Sequence, residues 1–246
     1  MVLPLFQHSL NPAPAQGSVV LLDGAEAKHA ISVRRMRVGE GIQLANGDGL
    51  RVIGSVSRVD ANALLVAVDE VIHEAVPQPS ITLVQALAKG DRDEMAVQAG
   101  TELGISAVIP WQSDRSVSRW EGAKIAKGVQ RWQAIATEAA KQALRAFNPS
   151  VAEPVTSKQL ANLVPDFTEV LVLDPTAEVG LAAIELASSG TIAIVVGPEG
   201  GITDGELAAL EAKGAKRVHL GDSILRTSTA GMAAIAVIES RLGRWA

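Results

Sequence analysis

From residue 80 to the C-terminus the sequence repeats one pattern, a short and almost wholly apolar run followed by a stretch of helix length. The runs are ITLVQAL, AVIP, EVLVLD, TIAIVVG and RVHL. They are too short for buried helices and do not alternate polar with apolar, so each reads as a strand buried on both faces. Between them lie RDEMAVQAGTELG, WEGAKIAKGVQRWQAIATEAAKQALR, GLAAIELAS and DGELAALEAKG, with a last helix from about Ser228 to Leu242. Strands separated by helices do not pair as hairpins. They form a mostly parallel sheet covered on both faces, an α/β domain.

The first 72 residues differ. GIQLANGDGLRVIGSVSRV and ALLVAVDEVI are β-rich, NGDG is a turn between strands, and AEAKHAISVRRMR reads as a helix before them. VPQPS is a proline-rich joint, so the chain divides near residue 75 into a domain of residues 1–72 and one of residues 73–246. A hydrophobic content of 48% supports real cores in both.

Composition excludes several chemistries. With no cysteine, disulfides, thiolate metal sites and cysteine nucleophiles are ruled out, and His8, His29, His73 and His219 lack ligand spacing, so no metal is expected. No apolar run approaches the roughly 20 residues that span a bilayer, and the stretch MVLPLFQHSL lacks a basic n-region followed by a long h-region, so no secretory leader is expected in it. A cytoplasmic protein with no membrane partner is expected. Net charge of −5 argues against general nucleic-acid binding, but residues 89–145 carry nine Lys and Arg against seven Asp and Glu. A local basic face is therefore compatible with an acidic chain.

Two bends carry the candidate chemistry. In VVGPEGGITDGELAAL, Val195 to Leu210, a buried strand ends in Gly197, Pro198, Glu199, Gly200 and Gly201, and a helix opened by a Thr203–Glu206 capping box follows. Glycine lets backbone N–H and C=O groups approach a ligand without Cβ interference, and the carboxyl ends of parallel strands are where ligands sit. Neither GxxxxGK[ST] nor GxGxxG is present, and Glu199, Asp204 and Glu206 are close. A ligand with little negative charge suits this loop better than a phosphate. The second bend, HLGDSILRTSTAGMAAIAVI, holds a lone cation, Arg226, among apolar and hydroxyl residues. Small residues including Ala230 and Gly231 follow, allowing a close approach of another backbone.

Taken together and in order, these segments resemble the SPOUT class of S-adenosylmethionine (AdoMet)-dependent RNA methyltransferases, and within it the RsmE family. The resemblance rests on KHAISVRRMRVGEGIQLANGDG, AKGDRDEMAVQAGTELGISAVIPWQSDRS, TEAAKQALRAFNPSV, GPEGG with its following Glu, and LGDSILRTSTA. Ser228 departs from the family's glutamate, Ala99 from a frequent lysine, and a family arginine is missing near the N-terminus.

The resemblance implies a SPOUT-type parallel-sheet domain tied in a trefoil knot, preceded by a small PUA-like β-barrel that binds RNA. It implies a homodimer that methylates N3 of a uridine in 16S rRNA, as naked rRNA or in the small ribosomal subunit, using AdoMet and no metal. Leu173, Gly197, Pro198, Glu199, Gly200, Gly201, Leu220, Gly221, Ile224, Leu225 and Ala230 would form the cofactor site, with Glu199 shaping its loop. Arg226 would act in catalysis by stabilising a uracil anion. Arg35, Arg115, Glu138, Gln142 and Arg145 would bind the RNA or support the site, the last three as a stripe at i, i+4 and i+7 on the long helix. Arg34, Arg37, Arg51 and Arg58 are further candidates for phosphate contact. Two other classes fit the residues alone: a nucleotide-binding α/β enzyme, and a noncatalytic RNA-binding protein that keeps the fold.

Overall fold

In the computed structural model, residues 2–245 are described. They fall into two compact units: residues up to Val76 together with Ala140–Asn148, and Pro77–Ala139 together with the residues from Pro149 on.

The first unit is a five-stranded, largely antiparallel curled sheet. Its strands are β1 (Leu5–Gln7), β2 (Val19–Leu22), β3 (Gly41–Ala45), β4 (Leu50–Val59) and β5 (Leu64–His73), in the order β1-β3-β4-β5-β2. Burial alternates along β4 and β5, so Leu50, Val52, Val56, Leu64, Val66 and Val68 face one core with Phe6, Leu22, Ile42 and Leu44. The NGDG turn joins β3 to β4, and the Asn46 side chain accepts from the N–H groups of Asp48 (2.8 Å) and Leu50 (3.0 Å). AEAKHAISVRRMR is not one regular helix: α1 (Gly24–Lys28) passes into a π-helical turn over His29–Val33, and Arg35 breaks it at φ 53°.

The short piece Ala140–Asn148 belongs to this unit through polar contacts that composition does not reveal. Lys141 Nζ pairs with Glu26 at 2.9 Å, Arg51 Nη2 donates to the Leu144 carbonyl at 2.8 Å, and Gln7 Nε2 donates to Asn148 at 2.6 Å.

The second unit is a seven-stranded, wholly parallel sheet. Its strands are β6 (Ser80–Ala86), β7 (Ala107–Gln112), β8 (Ser150–Val151), β9 (Val155–Thr156), β10 (Glu169–Leu173), β11 (Thr191–Val196) and β12 (Lys216–Val218), in the order β12-β10-β11-β6-β7-β8 with β9 also on β7. Ile81, Leu83, Leu171, Ile192, Ile194 and Val196 point to one face, where α2 (Arg92–Leu103), α3 (Ala123–Gln142) and α6 (Thr227–Arg241) cover them. Val84, Ala86, Val170, Val172, Ala193 and Val195 point to the other, under α4 (Ser157–Leu163) and α5 (Asp204–Glu211). This is why the strands read as unbroken apolar runs: with helices on both sides, neither face of the pleat meets water. Trp111 and Trp132 are fully buried, the latter edge-on to Trp120, so all three are packing residues.

Two sequence expectations are corrected. GLAAIELAS forms only a 3-10 turn over Leu181–Ala183, because its backbone is bonded elsewhere: Leu181 N–H donates to the His219 carbonyl at 2.9 Å and Ala187 N–H to Glu169 at 3.2 Å. The Glu138, Gln142, Arg145 stripe does not exist either. The helix ends at Gln142, Leu144 adopts a left-handed φ of 55°, and Arg145 lies beyond the last turn.

Candidate functional site

β10, β11 and β12 lie side by side, and the chain leaving each enters one cavity of about 550 Å³. That volume lies within the roughly 300–1,000 Å³ of ordinary small-molecule sites. β10, β11 and β12 are consecutive in sequence but not in the sheet, since β12 returns to the far side of β10. The cavity therefore opens at a change of winding direction, where open α/β sheets leave a crevice.

The first wall leaves β11. Gly201 N–H donates to the Pro198 carbonyl at 2.9 Å, closing a tight turn with Gly201 at φ 75°. A Cβ on Gly197 would lie 2.7 Å from Ile202 Cγ1, so glycine is demanded there by the loop's own packing. Gly200 faces the other way, with its carbonyl accepting from Arg115 Nη1 at 3.1 Å. Beyond the turn the Thr203–Glu206 capping box is formed in full, and Gly214 closes α5 at φ 104°. The Glu206 carboxylate also accepts from Asp114 N–H (2.8 Å) and the Ser157 hydroxyl (2.6 Å). Burial alone would raise its pKa, but these donors with Thr203 hold it below the usual glutamate range.

Glu199 is likewise held by donors from elsewhere in the fold. It accepts from Lys89 N–H at 3.1 Å and Arg92 Nη1 at 2.9 Å, which fastens the glycine turn to the corner between β6 and α2. Desolvation works against its charge, yet the backbone donors and the Arg92 guanidinium lower its pKa overall.

The second wall leaves β10. Asp174, almost fully buried, accepts from the N–H and hydroxyl of Thr176 (2.9 Å each) and from Arg217 Nε at 2.7 Å. Burial opposes its ionisation, but the Thr176 bonds and the Arg217 bond and charge outweigh it and lower the pKa.

The third wall leaves β12. His219 bridges to the 179–181 segment, donating its N–H to the Val179 carbonyl at 3.0 Å, and its Nδ1 accepts Gly221 N–H at 3.0 Å. Gly221 takes φ 104° with open space where a Cβ would be. Ile224 and Leu225 are exposed, and Arg226 caps α6 with its carbonyl accepting from Thr229 and Ala230 N–H. The Arg226 side chain is exposed at the cavity edge and makes no ion pair among the described residues.

Of the residues singled out in the sequence, Leu173, Gly197, Pro198, Glu199, Gly201, Leu220, Gly221, Ile224, Leu225, Arg226 and Ala230 line this cavity. Gly200, Arg35, Arg115, Glu138, Gln142 and Arg145 do not. Arg51 is committed inside the first unit, to Glu74 and Gln43, while Arg34, Arg35 and Arg37 are exposed. Gly231 and Ala234 pack inside the chain, Gly231 beneath Leu83 and Val196. Sequence reasoning missed Arg92, Asp174, Thr176, His219 and Thr227, all in the cavity wall. The available signals were the polar residues directly after β10 and β12, Asp174 and His219, and the arginine of KGDR.

A parallel α/β sheet with this crevice is the architecture of an RNA methyltransferase: the family model described as RNA methyltransferase domain matches residues 75–239, and that described as RNA methyltransferase PUA domain matches residues 22–69. The chain is 38% identical to a ribosomal RNA small subunit methyltransferase E of Mycobacterium bovis over all of this chain and 94% of that one, and 33% identical to its Bacillus subtilis counterpart over 88% of each. The crystal structure of the Neisseria gonorrhoeae ribosomal RNA small subunit methyltransferase E bound to S-adenosyl methionine superposes with a TM-score of 0.85 at 30% identity, covering 98% of both chains. The chain belongs to the ribosomal RNA small subunit methyltransferase E family.

Proposed function

We propose that this enzyme transfers a methyl group from AdoMet to N3 of a uridine in the 16S rRNA of the small ribosomal subunit. The observation that carries the reading is the single cavity bounded by Leu173–Thr176, Val196–Ile202 and Val218–Thr227. The residues present suit AdoMet. Leu173, Val218, Leu220, Ile224 and Leu225 offer an apolar slot for adenine, and the turns around Gly197, Gly201 and Gly221 bring backbone groups to its edge. Arg92 neutralises Glu199, and no phosphate-cradling loop is present. AdoMet, when bound, supplies a methyl carbon activated by its sulfonium.

Uridine N3 carries a proton at neutral pH and is a poor nucleophile, so the transfer has to release that proton to solvent as the N3–CH3 bond forms, the S–CH3 bond breaks and S-adenosylhomocysteine leaves as a neutral thioether. Arg226, the exposed cation on this wall, stabilises negative charge developing on N3 or O4, and its planar fork offers two donors to an imide edge. Arg115 supports the turn from outside by holding the Gly200 carbonyl. Arg35, with Arg34 and Arg37, contacts rRNA phosphates from the 1–72 domain, and Glu138, Gln142 and Arg145 bind the RNA or support the site, the last two from the Ala140–Asn148 piece that belongs to the first unit.

The working unit is a homodimer, which the exposed Ile224 and Leu225 beside the cavity support. The convergence of three loops on one crevice supports a knotted chain of the class. No helix among the described residues is long and apolar enough to cross a membrane, and an rRNA substrate supports action in the cytoplasm.

Calorimetric titration with AdoMet, ATP and NAD tests the reading. Saturable heat from AdoMet alone, one site per chain, is expected. Heat from ATP or NAD without AdoMet would favour a nucleotide-binding enzyme and overturn it.

A further inference from the structure

Gln85 is the second-last residue of β6 and is fully buried, flanked in the strand by Val84 and Ala86. A primary amide there is ordinarily hydrogen-bonded at both ends, yet its Oε1 has no protein partner among the described residues. That oxygen faces α6 at Gly231, where a Cβ would stand 3.9 Å from it. The Nε2 end is fully engaged, donating to the Ala86 carbonyl at 3.1 Å and to Thr227 Oγ1 at 2.9 Å. Thr227 Oγ1 in turn donates to the Gly197 carbonyl at 2.8 Å.

The direction of this chain is set by chemistry. Reversing the amide would put Oε1 against the Ala86 carbonyl, two acceptors with no hydrogen between them. Gln85 must therefore donate to Thr227, which leaves the single hydroxyl hydrogen of Thr227 for Gly197. The three groups run from the central strand, through the first residue of α6, to the first glycine of the opposite loop. Thr227 follows Arg226 directly. Gly197 and Arg226 stand on two different walls of the cavity, and this series of side-chain bonds links the two walls.

We propose that Gln85 is a positioning residue for methyl transfer: acting through Thr227, it fixes the Gly197 carbonyl and so the spacing of the two loops that hold AdoMet. The amide thus places an oriented donor at the end of the strand, its Oε1 without a protein partner among the described residues. An apolar residue at position 85 would pack the strand equally well and leave the Thr227 hydroxyl without a fixed direction. The inference rests on the AdoMet reading of the cavity.

The test uses the full-length chain and two measurements, calorimetric AdoMet affinity and urea unfolding, on Thr227→Val, Thr227→Ser, Gln85→Met and the Gln85→Met/Thr227→Val double variant. Thr227→Val should weaken AdoMet binding about tenfold, the order of one lost hydrogen bond, while Thr227→Ser stays within about twofold of wild type. The double variant replaces both partners with apolar groups, so its stability should recover toward wild type. Its AdoMet affinity should not recover, because Gly197 is still untethered.

Affinity that returns together with stability would show a merely structural role and overturn the proposal, as would wild-type affinity in Thr227→Val. If Thr227→Val does not fold, Thr227→Ala against Thr227→Ser makes the same comparison. Absence of AdoMet binding by the wild-type chain would instead defeat the AdoMet reading itself.

Discussion

Arg92 and Glu199, 107 residues apart, meet at 2.9 Å and fasten the corner after β6 to the glycine turn after β11. The pair is partly exposed, so the ion pair alone contributes at most about 1 kcal/mol. Lys89 N–H adds a second donor to the same carboxylate. Glu199→Gln keeps an acceptor for Lys89 and should weaken AdoMet binding by less than about fivefold, whereas Glu199→Ala removes both bonds and should weaken it by about tenfold or more. Calorimetry separates the two, and unchanged affinity in Glu199→Ala would contradict the bracing role.

Glu206 gives a prediction in pH. Its folded pKa is lowered, so its contribution is complete above the ordinary glutamate value of about 4.3 and is lost as pH falls through the lower folded value. Glu206→Ala, which removes four accepted hydrogen bonds from Thr203, Asp114 and Ser157, should cost about 2–3 kcal/mol at pH 7. Urea unfolding at pH 7 and below pH 4 should show that difference shrinking with acid. A difference that grows with acid would contradict the assignment.

The glycines of the two loops should differ in kind. Gly197→Ala forces a Cβ against Ile202 and should damage both loop packing and AdoMet affinity. Gly221→Ala meets nothing and bears only the cost of a left-handed backbone, about 1–2 kcal/mol. Thermal melts with and without AdoMet read this directly. Equal effects at both sites would mean that Cβ contact is not what demands glycine at position 197.

How much of this was legible in the sequence follows from where each residue finds its partners. The parallel strands were legible because burial on both faces writes an apolar run into the chain itself, and the Thr203–Glu206 cap because its partners are three residues apart. GLAAIELAS misled because its helical composition is overridden by bonds to His219 and Glu169, invisible at that distance. Arg145 misled because a single left-handed residue, Leu144, ends the helix before it. Gln85 carried no signal, since nothing local distinguishes an oriented buried amide from a misplaced polar residue.

Substrate docking is testable apart from cofactor binding. Arg34, Arg35 and Arg37 are exposed, whereas Arg51 is held by Glu74, Gln43 and the Leu144 carbonyl. Changing the three exposed arginines to alanine should weaken rRNA binding and flatten its salt dependence by about one unit of slope per lost phosphate contact, with AdoMet affinity unchanged. Arg51→Ala should instead lower the stability of the first unit. Salt-titrated filter binding checks the first expectation, and an unaltered salt slope in the triple variant would remove these arginines from the interface.

The most direct measurement is single-turnover methyl transfer from labelled AdoMet to small subunits lacking the modification, followed by digestion to nucleosides, for wild type and Arg226→Ala. Label is expected in N3-methyluridine of 16S rRNA with the wild-type chain. For Arg226→Ala at saturating AdoMet the rate should be on the order of 10²- to 10³-fold lower, the usual loss for one charge-stabilising donor, with AdoMet affinity nearly unchanged. Label on another base or none with the wild-type chain would overturn uridine N3 methylation, and a near-wild-type rate for Arg226→Ala would remove that arginine from the chemistry.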